Sequence, residues 1–358
     1  MFDGHNDVLL RLWRHARTGA DPVAEFRETT GPGHISLAKA RVGGLAGGLC
    51  AIFVPSGSYA LAEADAAGHY ATPLSPTVAR GAALEAAVEI ADIACRLERA
   101  GLWRLCRTTA EIRGAMAEGL FAAVLHMEGC EAITPDLAAL ETFYAAGLRS
   151  LGPVWSRPNV FGHGVPFAWP SSPDTGPGLT AAGFELVRRC DRLGIAIDLA
   201  HLTEKGFWDV AKTTTKPLIV SHSNVHALTA VARNLTDRQL AAVRESGGLV
   251  GLNFATTMLR PDGREDARTP LADMVRHIDH LVDRLGLAGV ALGSDFDGAT
   301  IPEEIGDAGG LQALVKALAA AGYGPDELEA ICRGNWLRAL GAAWGETAVP
   351  AAAESKRA

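Results

Sequence analysis

Short apolar or β-branched runs recur at Phe2–Val8, Leu49–Val54, Leu120–His126, Leu148–Val154, Ile195–Leu199, Leu218–His222, Leu249–Asn253 and Val290–Ser294. Their length and composition suit buried β-strands. Between most of them the apolar spacing changes to that of a helix, as in Thr77–Arg99, Ala181–Leu193, Asp237–Glu245, Leu271–Leu285 and Leu311–Ala321. Thr236 is placed to cap the helix that starts at Asp237, and Gly286 to end the one before it. Eight strands alternating with helices predict an α/β fold, a (β/α)8 TIM-type barrel with loop insertions over its C-terminal face, rather than an open doubly wound sheet. Trp103–Cys106 also has strand character, but the pattern gives it no place.

Two long connections interrupt the alternation, Pro55–Pro76 and the Pro- and Gly-rich Trp155–Gly178. Long loops after barrel strands lie over the active site as lids or walls. The expected organisation is one barrel over 1–345 and a disordered tail over 346–358. Of 358 residues 48% are hydrophobic and 21% charged, enough for a large core. A net charge of −8 without a Lys/Arg run speaks against nucleic acid as partner. The six cysteines are scattered with no C-x-x-C, so free thiols are expected. No basic-then-apolar leader precedes FDGHND and no apolar run approaches membrane-spanning length. A cytoplasmic protein without a membrane anchor is the expectation. A homodimer is only the default for oligomeric state.

The strand ends carry the chemistry. His5 and Asp7 are two apart in FDGHND, which on a strand would place both on one face. Imidazole plus carboxylate suits a divalent metal ion, although a buried His–Asp hydrogen bond would look the same. Glu128 follows the third strand. Many barrel hydrolases bridge two metals with a carboxylated lysine, but no lysine occurs between Lys39 and Lys205, which leaves Glu128 as the bridge. His201 and His222 follow consecutive strands, with Asp198 and Ser221 or Ser223 available to fix their tautomers. Asp295, in GSDFDG, ends the eighth strand where a carboxylate can move protons; Asp297 reads as structural. Arg233 could pin a substrate carboxylate, or be a surface arginine. The other histidines (His15, His34, His69, His126, His226, His277 and His280) read as packing or surface residues, with His126 closest to the face of Glu128.

The segments FDGHNDVLL, ISLAKARVGGLAGG, VLHMEG, GLRSLGPVW, RLGIAIDLAH, PLIVSHSN, ARNLTD, GLVGLNF, LGSDFDG and GNWLRAL closely resemble the membrane (renal) dipeptidase family, zinc peptidases of the amidohydrolase-like barrels. They run in order through nearly the whole chain. The resemblance implies two divalent metal ions, zinc in the family, one held by His5, Asp7 and Glu128 and the other by Glu128, His201 and His222. It implies hydrolysis of dipeptides with a free C-terminal carboxylate, which Arg233 would grip, and tolerance of a D-residue at the second position. Asp295 would carry the proton to the leaving amine. The animal relatives' secretion signal and lipid anchor are not visible here. Where those relatives have a substrate-binding histidine after the fourth strand, this chain has Trp155. Either Trp155 walls the pocket, or His163, flanked by Gly162 and Gly164, supplies the donor. Rival readings are an amidohydrolase acting on N-acyl amino acids or cyclic amides, a non-catalytic metal-binding barrel, and a metal-free barrel using histidines as acids and bases.

Overall fold

All eight expected strands form in the structure, a computed structural model that describes residues 1–28, 31, 33–57 and 60–346. They are β1 (Phe2–Asn6), β2 (Gly47–Phe53), β3 (Phe121–Glu128), β4 (Leu148–Gly152), β5 (Ala196–Ile197), β6 (Ile219–Ser223), β7 (Leu249–Leu252) and β8 (Val290–Leu292). Every pairing between them is parallel, in two runs, β1 to β5 and β6 to β8. Single parallel bridges close the ring, Asp198–Ile219 between the two runs and Asn6–Phe296 back to β1. The result is the expected α/β TIM-type barrel.

The boundaries differ where side chains take over backbone hydrogen bonds. β1 stops at Asn6 instead of Val8, because the amphipathic run VLLRLWRHA is a helix over Val8–Ala16. β5 is shorter than the expected Ile195–Leu199. There Asp198 Oδ1 accepts the N–H groups of Ala200 (3.0 Å) and Ser221 (2.7 Å), so a carboxylate replaces part of the ladder. The unplaced run Trp103–Cys106 forms a strand over Trp103–Leu105 that pairs with the first half of β3, and β4 takes over that edge from Leu125 onward. Both satisfy the backbone of the longest strand. The expected helices form, and Thr236 caps Asp237–Glu245 in a reciprocal capping box with Gln239.

Trp336, on the helix Asn335–Trp344, plugs the N-terminal end of the barrel and donates from Nε1 to Leu292 O at 2.8 Å. Gly4 makes room for it: a Cβ there would lie 2.2 Å from the indole. Phe2, Leu49, Val124, Ile219 and Leu249 pack around this plug. With the floor filled, only the C-terminal mouth is left for a site. The two insertions meet beside it, Tyr70–Ala71 pairing antiparallel with Ala168–Trp169. The tail after Glu346 lies outside the described residues. Among those residues no helix is long and apolar enough to cross a membrane.

Candidate active site

β1 delivers His5 from within the strand and Asp7 from just past its end, where Asp7 N donates to Phe296 O at 2.8 Å. Asp7 therefore sits at the start of the next helix, not on the strand, yet its Oδ2 is 3.7 Å from His5 Nε2. Glu128 is the last residue of β3, opposite Phe53 and Gly152. Its two oxygens face different ways: Oε2 lies 3.7 Å from His5 Nε2, while Oε1 lies 3.0 Å from His201 Nε2 and 3.5 Å from His222 Nε2. The imidazoles of His201 and His222 approach to 3.1 Å between Nε2 atoms. His5, Asp7, Glu128, His201 and His222 are all buried.

The outward nitrogens of two of these rings are held. Ser221 Oγ donates to Asp198 and so can only accept from His222 Nδ1, 2.7 Å away, which leaves the His222 Nε2 lone pair facing Glu128. Ser156 Oγ is 2.8 Å from His201 Nδ1. His126, fully buried, packs edge-on against His5 and bonds Ser150 at 2.9 Å; burial lowers its pKa to about 4, so it is neutral packing behind the cluster.

Electrostatics single out a cation-binding arrangement. Burial pushes Glu128 up to about 8, with His5 opposing that shift. Burial alone would lower His5, but Glu128 and Asp7 overcome it and raise the ring to about 10. A proton on His5 thus does what a cation would do among these carboxylates. His201 and His222 are held well below their ordinary value, by burial first and then by Arg233 and His5, so they are neutral donors of lone pairs. Asp7 Oδ1 is buried and accepts no hydrogen bond from the described residues. Two trios, His5–Asp7–Glu128 and Glu128–His201–His222, each bring their ligand atoms within 4.8 Å of one another and share Glu128. The donor set, its neutral imidazoles and its unsatisfied carboxylate oxygen fit divalent metal ions.

The cluster opens into a cavity of about 820 Å³. Asp295 lines it from the loop after β8 and accepts from Asn253 Nδ2 at 2.9 Å; burial raises its pKa. Arg233 lines it after β6, is only 5% exposed, and donates from Nη2 to His222 O at 3.1 Å. Trp155 lines it too, against Phe53 (5.0 Å between centroids), Phe167 (5.6 Å) and His201 (5.8 Å). His163 is not brought to the cavity: its Nδ1 faces Gly178 O at 3.2 Å. No motif or spacing marks Arg157, fully buried behind Trp155, which pairs with Glu131 at 2.8 Å and donates to Val54 O at 2.7 Å. It ties the loops after β2, β3 and β4 together; a buried arginine in an irregular loop leaves no periodic trace. Asp3 was also missed. It accepts from Ser294 N (2.7 Å) and Oγ (2.8 Å), locking β1 to the end of β8.

A closed parallel barrel with buried carboxylates and imidazoles at its C-terminal mouth defines the metal-dependent barrel hydrolases. Within that class the chain belongs to the membrane dipeptidase family, peptidase family M19, which it matches over residues 1–352. It is thus a metallopeptidase that hydrolyses dipeptides. It is 49% identical over 245 residues to an uncharacterised Klebsiella pneumoniae protein from the pqqA 5′ region, covering 68% of this chain and 90% of that protein. The dipeptidase AC, a family M19 metallopeptidase, is 50% identical with a TM-score of 0.90, covering 96% of this chain and 98% of that one. A metallopeptidase from Rhodobacter sphaeroides, liganded with a phosphinate mimic of the dipeptide L-Ala-D-Ala, is 49% identical with a TM-score of 0.91, over 96% of this chain and 99% of that one.

Proposed function

We propose that the protein is a binuclear Zn2+ dipeptidase that acts on dipeptides with a free C-terminal carboxylate and accepts a D-residue at the second position. The observation that carries the binuclear reading is the split of Glu128, one oxygen toward His5 and the other toward His201 and His222. His5, Asp7 and Glu128 would hold one ion and Glu128, His201 and His222 the other. When bound, the ions supply Lewis acidity and a nucleophilic water at neutral pH. Arg233 orients the substrate through its carboxylate by a charge-assisted pair, shielded from solvent by its burial. Asp295, whose pKa is raised by burial, takes a proton and returns it to the leaving amine, which cannot depart as an anion. Trp155 walls the pocket. The D-residue is supported by the L-Ala-D-Ala mimic in the Rhodobacter sphaeroides relative.

A second reading of Asp295 has one observation behind it: its carboxylate also forms a close trio with His5 and His222. As a ligand it would be needed for metal content, whereas as a proton carrier it would not.

The test is metal content by elemental analysis, with hydrolysis of L-Ala-L-Ala, L-Ala-D-Ala, L-Ala-L-Ala amide, an N-acetyl amino acid and a hydantoin compared before and after chelation. Two ions per chain, activity on both free dipeptides and its loss on chelation are expected. Arg233→Met should lower kcat/KM for the free dipeptide far more than for the amide. Equal losses would show that Arg233 does not read the carboxylate, and faster turnover of the N-acetyl amino acid or hydantoin would replace the substrate class.

A further inference from the structure

Two groups that line the cavity take no part in this chemistry, Arg14 and His34. Arg11 and Arg14 lie one turn apart on the helix Val8–Ala16 and both face the cavity. Arg11 is neutralised, bonded to Glu25 and 3.1 Å from Asp297 Oδ2. Arg14 is exposed and has no ion-pair or hydrogen-bond partner among the described residues. It is a full positive charge at the rim that nothing in the fold uses.

His34 adds a directed donor. Asp297 N donates to His34 Nδ1 at 2.8 Å, and His34 N donates to Asp297 Oδ1 at 2.6 Å. A backbone N–H cannot accept, so Nδ1 keeps its lone pair and the proton of the neutral ring is on Nε2. Burial lowers the pKa of this ring, which favours the neutral form. Among the described residues Nε2 has no acceptor.

The topology says which part of a substrate this pair would meet. Arg233 follows β6, and β2 stands opposite β6 in the eight-stranded ring. Arg14 and His34 both lie on the connection from β1 to β2. With the C-terminal carboxylate on Arg233 and the scissile bond over Glu128, the far wall faces the N-terminal residue. We propose that Arg14 and the Nε2–H of His34 recognise a carboxylate in the side chain of that residue, so that the enzyme favours dipeptides beginning with Asp or Glu. The inference rests on the Arg233 reading above.

The experiment compares kcat/KM of the metal-loaded full chain for L-Glu-L-Ala and L-Gln-L-Ala, which differ only in the side-chain charge. Wild type should favour Glu by about fivefold, the size of a partly screened ion pair. The ratio should fall to roughly one in Arg14→Met and should shrink with added salt in wild type but not in Arg14→Met. Arg17→Met removes an equal charge from the same helix end and should keep the wild-type ratio. His34→Asn keeps an oxygen where Nδ1 stood, to accept from Asp297 N, and deletes only the Nε2–H; its ratio should fall by about twofold. Because each ratio is taken within one variant, loss of folded protein cancels. A wild-type ratio at or below one, or the same ratio in wild type and Arg14→Met, overturns the proposal. Failure of the underlying reading looks different: Arg233→Met would lose kcat/KM equally on L-Ala-L-Ala and its amide, a result that leaves the wild-type Glu-to-Gln ratio and its dependence on Arg14 untouched.

Discussion

Gly298 closes the DFDG segment, and its lack of a side chain is what lets two carboxylates converge. A Cβ there would lie 2.3 Å from Asp7 Oδ2 and 2.5 Å from Asp295 Oδ1. Non-bonded atoms settle at about 3.5 Å, so in Gly298→Ala each oxygen must withdraw by about 1 Å. Neither retreat is free. Asp7 is held by its backbone bond to Phe296 and Asp295 by its bond to Asn253. The backbone at Gly298 lies outside the left-handed region, so alanine brings no φ strain and the effect is confined to the carboxylates. A misplacement of about 1 Å costs on the order of 10²-fold in rate, or about 2.7 kcal/mol of transition-state stabilisation. The assay is kcat/KM on L-Ala-L-Ala, with metal per chain by elemental analysis and a thermal melt as control. Expected are a roughly 10²-fold lower kcat/KM, reduced metal content because Asp7 is a proposed ligand, and a melting temperature within a few degrees of wild type. A variant within about threefold of wild type in kcat/KM would show that the approach of Asp7 and Asp295 is not needed for turnover.

Asp295→Asn should lower kcat by at least about 10²-fold, the usual loss of a general acid–base, while two ions per chain remain; loss of an ion would favour the ligand reading instead. Glu128→Gln should reduce metal content below two ions per chain, and two retained ions with normal turnover would end the bridging assignment. His277, whose Nδ1 accepts from Val225 N and whose Nε2 donates to Leu259 O, is lowered by burial from 6.5 to about 4. Because its folded pKa is depressed, its contribution is full above pH 6.5 and is lost as pH falls toward 4, on the order of 3 kcal/mol in all. Melting temperatures of wild type and His277→Asn across that window should converge on acidification; parallel curves would contradict the shift.

The strands were legible because parallel barrel strands are buried on both faces and read as bare apolar runs. The candidate site was legible for a related reason: β-strand ends are where a barrel places its polar groups, so His201, His222 and Asp295 could be found by position before any geometry was known. Asp198 and Ser221 could be foreseen as partners of the histidines because they stand beside them in IDLAH and VSHSN. What escaped was whatever depends on contacts between distant loops. Asp7 was expected on a strand, but the helical spacing that starts at Val8 claims the chain one residue later. The Arg157–Glu131 pair joins loops that are far apart in sequence and has no pattern of its own. His34 read as packing because nothing in GPGHISL shows that Asp297, over two hundred residues away, fixes its tautomer.

Two of the residues proposed for the chemistry, like Asp297 beside them (φ +65°), carry backbone that most side chains avoid. His201 has φ +66° and Asp295 has φ +59°, a conformation costing roughly 1–2 kcal/mol for a residue with a Cβ. In both places the chain must leave a strand and turn within a few residues, and the turn is secured by backbone bonds. Val165 N donates to His201 O at 2.8 Å, while Gly298 N and Ala299 N both donate to Asp295 O at 3.1 Å. Glycine would relax the backbone at either position but would remove the side chain that faces the cavity. Only a few non-glycine residues tolerate this region, chiefly Asn, Asp and His, whose short polar side chains bond locally. Of those, only His offers a neutral nitrogen lone pair to a metal ion and only Asp a carboxylate that can exchange a proton. The left-handed turn and the proposed chemistry therefore call for the same residue type at each position, His at 201 and Asp at 295.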